Sequence, residues 1–166
     1  MKYLLLCAAV LLAGCDAATP GDGSSETGSY TYQTQGAYGE SRTGRALFAT
    51  SLYDGQPAFT LQLQTAADNP NVLVSLDWAG QARPSAGTYA ATATFAEASS
   101  GSGRVAVSYV RSSSSPFFFE QFRATGGTVT LTESSAQRLK GTLSLTLTDA
   151  GRTLTLTGTF TATGGH

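Results

Sequence analysis

The 166-residue chain has one histidine, two cysteines, one methionine and one tryptophan, and only 13% of it is charged. These scarcities exclude whole classes of chemistry. The histidine, His166, is the last residue, behind Gly164 and Gly165, where a chain end lacks the neighbours that fix a base or a ligand. Nucleophilic catalysis needs a general base within hydrogen-bond reach, and no internal histidine supplies one. A zinc centre needs three or four His, Cys or carboxylate ligands, so the same shortage argues against a metal. No cofactor motif is present. Lys plus Arg number 10 against 11 Asp plus Glu, which is not the basic excess of a nucleic-acid binder. Long hydrophobic runs are missing too. The first, Tyr3 to Leu12, has about ten residues, half of the roughly 20 that a membrane-spanning helix requires.

That short run has a use. Lys2 gives a positive start, Tyr3 to Leu12 an apolar core, and Ala13-Gly14 the small residues of a cleavage site, the three parts of a secretory signal. Leu12-Ala13-Gly14-Cys15 resembles the lipobox of bacterial lipoproteins. The resemblance implies cleavage between Gly14 and Cys15 and a diacylglyceryl group on the Cys15 sulfur. Cys7 would leave with residues 1–14, so no disulfide is available to the mature chain. Several acyl chains make a stable anchor, because each buried CH₂ contributes about 0.8 kcal/mol and one chain alone is marginal. The membrane is thus an expected partner. Residues 15–29 follow Cys15 with Pro, Gly, Ser and the acids Asp16, Asp22 and Glu26, a flexible tether. Asp16 resembles the inner-membrane retention signal of enteric bacteria, whereas acids near the acylated Cys accompany surface export in other diderm lineages. The outer membrane or cell surface is the expected location.

Residues 30–166 read as one domain. From Tyr30 the apolar period becomes two, and threonine, which disfavours helices and suits a pleated sheet, is abundant. Phe59, Leu61 and Leu63 alternate with Thr60, Gln62 and Gln64, and Val72, Val74, Leu76 and Trp78 run in phase. Further strands are expected at Tyr30–Thr34, Arg45–Tyr53, Thr88–Phe95, Arg104–Arg111, Thr128–Glu133, Leu139–Thr148 and Thr153–Ala162, and no segment shows a helical period. About nine short strands with turn signals between them predict an antiparallel β-sandwich, with a closed β-barrel as the alternative.

The last two strands predict their own register. Leu139, Leu143, Leu145 and Leu147 are odd-numbered, whereas Leu154, Leu156, Phe160 and Ala162 are even, so opposed residues must sum to an odd number. A turn centred on Ala150-Gly151 opposes Asp149 to Arg152, Leu145 to Leu156, Gly141 to Phe160 and Leu143 to Gly158. Each glycine then lies beside a large apolar residue.

The segments Gly127–Thr132, Leu139–Asp149 and Thr153–Phe160, with Gly87-Thr88-Tyr89, resemble a group of small bacterial lipoproteins whose domains end in similar G-T-x strands. The resemblance spans Ala58 to Ala162. It implies a β-sandwich and an envelope location, and it brings no catalytic residues. Leu143 stands where those proteins often have Phe.

Functional leads are few. Phe117, Phe118, Phe119 and Phe122 follow a serine loop and, with Trp78, form a candidate binding patch. Packing on both sides of a crossing strand would equally account for the phenylalanines, and in-phase burial for Trp78. Asp77, Glu97, Glu120 and Glu133 are the carboxylates available for glycosidase chemistry, with Asp77 on the outward, solvated phase of its strand. Asp68-Asn69-Pro70-Asn71 offers oxygen ligands without the spacing of a known calcium loop. The resulting expectation is a lipid-anchored, non-enzymatic binding or structural module of the cell envelope, its partner a glycan, a lipid or an envelope protein and not a nucleic acid. A carboxylate-dependent glycan hydrolase is the alternative.

Overall fold

The computed structural model describes residues 28–65, 71–112 and 119–164. The signal segment, Gly14, Cys15, most of the tether, Asp68 to Pro70, Phe117, Phe118 and His166 lie outside them. The element order is β1 (Ser29–Gly36), β2 (Ser41–Tyr53), β3 (Gln56–Gln64), β4 (Asn71–Ala79), β5 (Gly87–Thr92), α1 (Phe95–Ser99), β6 (Arg104–Ser112), β7 (Phe119–Ser134), β8 (Arg138–Asp149) and β9 (Arg152–Gly164).

The chain is all-β, and the sheet closes. Its strand order is β1-β2-β3-β4-β6-β5-β7-β8-β9, with β1 hydrogen-bonded to both β2 and β9. The expectation of an all-β fold of about nine strands holds, and the sheet closes into the barrel named as the alternative. The reason is that β1, flanked on both sides, leaves neither end of the sheet with a free edge. Two strands act as wedges. Beyond the first residue of β1, β2 and β9 pair directly (Leu47 with Thr163), and beyond the short β5, β6 pairs with β7.

Period-two alternation supplies the core. Tyr30 and Tyr32, Leu61 and Leu63, Val74 and Leu76, Val107 and Tyr109, Leu145 and Leu147, and Leu154 and Leu156 all point inward and are buried. Outward positions are mostly polar, with Leu47, Leu52, Leu73, Val110 and Phe119 among the exceptions. Thr31, Thr159, Thr142, Thr130 and Thr88 form one row across five neighbouring strands. A barrel that crosses a bilayer shows the opposite polarity, with an apolar band outside. The outer wall here suits water.

The β8–β9 hairpin has the expected register: Asp149 faces Arg152, Gly141 faces Phe160 and Leu143 faces Gly158. Ala150 and Gly151 both have positive φ (47° and 82°), the backbone of a tight two-residue turn matched to strand twist. Asp54 and Gly55 (49° and 74°) do the same between β2 and β3.

Two expectations change. Phe119 to Phe122 and Thr128–Glu133 belong to one long strand, β7, whose register shifts between Ala124 and Gly126. That bulge moves the inward phase from Phe122 and Ala124 to Val129 and Leu131, which is why alternation reads as two strands. The expected strand Thr88–Phe95 ends at Thr92, because Thr94 caps a short helix: its side chain accepts from the Glu97 amide while the Glu97 carboxylate accepts from the Thr94 amide. The helix bridges β5 to β6, which run parallel and so need a crossover.

Candidate functional site

Two places on the barrel gather chemistry, and the first is a mouth closed by the β1–β2 connection. Gly36 ends β1 at φ 95°, and the next four residues cross the opening. Both ends of this lid are clipped. The Ala37 amide donates to Thr153 O (2.8 Å), and the Glu40 amide donates to Thr34 Oγ1 (3.1 Å). Between the clips Tyr38 lies over the barrel interior. Its ring meets Phe122 edge-on at 6.0 Å, the Arg111 guanidinium sits 3.9 Å from its centroid, and its hydroxyl donates to the Glu120 carboxylate.

Ion pairs hold the rim. Glu40 accepts from Arg42 Nε and Arg111 Nη1, both at 2.6 Å. Arg152 donates to Glu120 Oε1 at 2.7 Å and to Asp149 Oδ2 at 2.6 Å. Partial burial opposes ionisation of Glu40, but the bonds and charges of Arg42 and Arg111 outweigh it and hold its carboxyl below the ordinary value. The hydrogen bond from Tyr38, followed by that from Arg152, does the same for Glu120. The bond to Glu120, with some burial, raises Tyr38 in turn.

Beneath the lid the polarity is unexpected. Tyr32 (1% exposed) and Tyr109 (0%) have buried hydroxyls with no hydrogen-bond partner among the described residues, and Trp78 Nε1, at the far end of β4 beside Tyr89, has none either. Burial pushes the Tyr109 phenol up to about 12 and that of Tyr32 higher, so both stay protonated. Tyr109 packs edge-on against Phe122 at 6.0 Å, and Phe122 thus separates it from Tyr38. Each unmet donor costs about 1–3 kcal/mol of desolvation, so three of them in one apolar barrel call for a reason.

The second place is the flank of the barrel beside α1. Phe95 and Ala98 press on Ala58 and Ala106, outward residues small enough to admit a helix, and Tyr53 stacks on Phe95 at 4.9 Å. A cleft of about 600 Å³ opens there, lined by Tyr53, Asp54, Gln56, Phe95 and Arg123 among others.

The sequence-based candidates are dispersed. Trp78 and Phe122 are interior residues, 4% and 0% exposed, whereas Phe119 is 71% exposed. Alternation aims the first two into the barrel, so they cannot join Phe119 in one surface patch. Asp77 does point outward, yet it is only 5% exposed. It accepts from Thr60 Oγ1 (2.7 Å) and Ser75 Oγ (3.0 Å), and desolvation raises its pKa against those two bonds. Glu97 caps α1, Glu133 pairs with Arg138 at 2.9 Å, and Glu120 belongs to the mouth. Sequence reasoning missed Tyr38, Glu40, Arg111 and Arg152, which stand in different strands and loops. It also missed α1, for which Thr94-x-x-Glu97 was a readable signal. Among the described residues no His, Cys, Asp and Glu group is arranged to hold a metal. The chain matches no family model, no curated protein and no solved structure.

Proposed function

We propose that this protein is a lipid-anchored module of the bacterial cell envelope, held at the outer membrane or cell surface through Cys15, whose barrel binds a small ligand without transforming it. The observation that carries the reading is the pair of buried hydroxyls of Tyr32 and Tyr109, without partners among the described residues, beneath a lid whose central residue Tyr38 is held by side-chain contacts. Polar groups kept in an apolar interior at a cost to stability are the usual handles of a binding site. Ligand reaches them when Tyr38 swings aside, which breaks its hydrogen bonds to Glu120 and from Arg152, one cation–π contact and the edge contact with Phe122. The water-compatible outer wall supports a domain that stands off the bilayer on its tether.

The hydrolase alternative finds less support at the same mouth. A glycosidase acid must hold its proton near neutral pH, through a raised pKa. Both mouth carboxylates are held below the ordinary value, Glu40 by Arg42 and Arg111 against its partial burial, and Glu120 by the hydrogen bond from Tyr38 and then that from Arg152.

Two experiments test the proposal. Metabolic labelling with a palmitate analogue should mark the wild type and not Cys15→Ser; label retained in the variant refutes the anchor. A thermal-shift screen of a broad small-molecule and glycan library should yield ligands whose stabilisation changes in Tyr38→Ala. A library without one stabilising compound, in either protein, refutes the binding role.

A further inference from the structure

We propose that the barrel mouth binds a small hydroxylated aromatic compound of the phenol class, and that Tyr38 fills this site as an intramolecular stand-in. The inference rests on the binding reading above and names its ligand. Tyr38 belongs to no strand of the wall, yet it is seated as a ligand would be. Phe122 gives the ring an apolar edge contact, the Arg111 guanidinium covers its face at 3.9 Å, and Glu120 accepts its hydroxyl. All three are fixed independently of Tyr38. Phe122 is fully buried in β7, Arg111 is held by Glu40, and Glu120 is held by Arg152, which Asp149 holds in turn.

The lid has the means to move. The clips at Ala37 and Glu40 lie outside Tyr38-Gly39, and a side chain at Gly39 would meet nothing within 4 Å. Rotation of two residues therefore releases the ring while the rim ion pairs stay in place.

Ligand chemistry follows from what surrounds the ring. Three arginines at the rim (Arg42, Arg111, Arg152) balance three carboxylates (Glu40, Glu120, Asp149), so the slot has no excess charge to attract an ion. A carboxylate on the ring would face Glu120 and be repelled. A ring hydroxyl takes the place of the Tyr38 hydroxyl. The seat thus suits a simple phenol, whose ring and single hydroxyl reproduce those of Tyr38.

The test is isothermal titration of the full acylated chain in detergent micelles, against a matched micelle blank, with p-cresol and toluene. Wild type should bind p-cresol more tightly than toluene. Tyr38→Ala, which removes the internal competitor, should tighten p-cresol by about ten-fold or more, because the binding-competent state no longer needs to be populated first. Tyr38→Phe retains the ring and loses the Glu120 bond, so it should tighten binding by a smaller factor, and it guards against a misfolded alanine variant. No saturable binding of p-cresol to wild type, no tightening in either Tyr38 variant, or toluene bound as tightly as p-cresol overturns the proposal. Ligands of another class from the general screen, with both probes inert, would sink the phenol assignment and leave the binding role standing. Silence in both experiments sinks both.

Discussion

A methyl group added at Gly158 should be among the most disruptive single-carbon changes available to this barrel. Gly158 faces Tyr32 on β1 and Leu143 on β8. A Cβ there would lie 2.5 Å from Thr31 O and 2.5 Å from the Tyr32 Cβ. Comfortable carbon contacts begin near 3.5 Å, so β1 and β9 must part by about 1 Å for Gly158→Ala to fit. Overpacking of this kind costs about 1–3 kcal/mol, and the upper end applies because the obstacle is backbone, not a side chain that can rotate away. At roughly 4 °C per kcal/mol for a domain of this size, the midpoint of thermal unfolding should fall by about 8–12 °C. Gly39→Ala is the control. It introduces the same methyl where nothing lies within 4 Å and should stay within about 0.5 kcal/mol of wild type. Thermal melts followed by far-ultraviolet circular dichroism read both. Equal midpoints for the two variants would refute the claim that aromatic-over-glycine packing closes the seam between β1 and β9.

Other consequences are as open to measurement. Because burial raises Asp77, its native state holds the proton to higher pH than the unfolded chain does, and stability falls as pH climbs from about 3.9 through the raised value. Asp77→Asn should therefore be at least as stable as wild type at pH 7, with the difference shrinking toward pH 4 in urea titrations. Tyr109→Phe removes a buried hydroxyl that has no partner among the described residues and should raise stability by about 1 kcal/mol in the same assay. Thr94→Ala deletes the cap of α1 and should cost about 1 kcal/mol, with faster hydrogen exchange at the Glu97 amide. Glu40 and Glu120, whose pKa values are lowered, add stability above about 4.3 that is lost as pH falls through their native values, so amide exchange at residues 37–40 should accelerate in acid while that of β8 does not.

How much of this was legible depended on sequence distance. The β8–β9 register followed from parity and from two glycines because hairpin partners are local, and the turn that joins them spans only Ala150 and Gly151. Barrel closure was not legible, since it rests on β1 meeting β9, with Gly28 bonded to Thr163 across 135 positions. Alternation told correctly that Asp77 points outward. It could not tell that a helix packs on that same flank, because α1 has one turn and no period to detect. The mouth failed to announce itself for the same reason: Tyr38, Glu120 and Arg152 meet only after three separate strands have been laid side by side.

The seam strand also sets a timetable. A chain made from its N-terminus releases β1 first and β9 last, so the strand that must be flanked on both sides waits for the whole domain to emerge. Until then β1 can take up only β2, and its other edge presents bare amides and carbonyls. Non-local closure of this kind folds slowly and exposes intermediates to misassembly. Substitutions along the β1–β9 seam should therefore weigh more heavily on the yield of folded protein than on the stability of what has already closed.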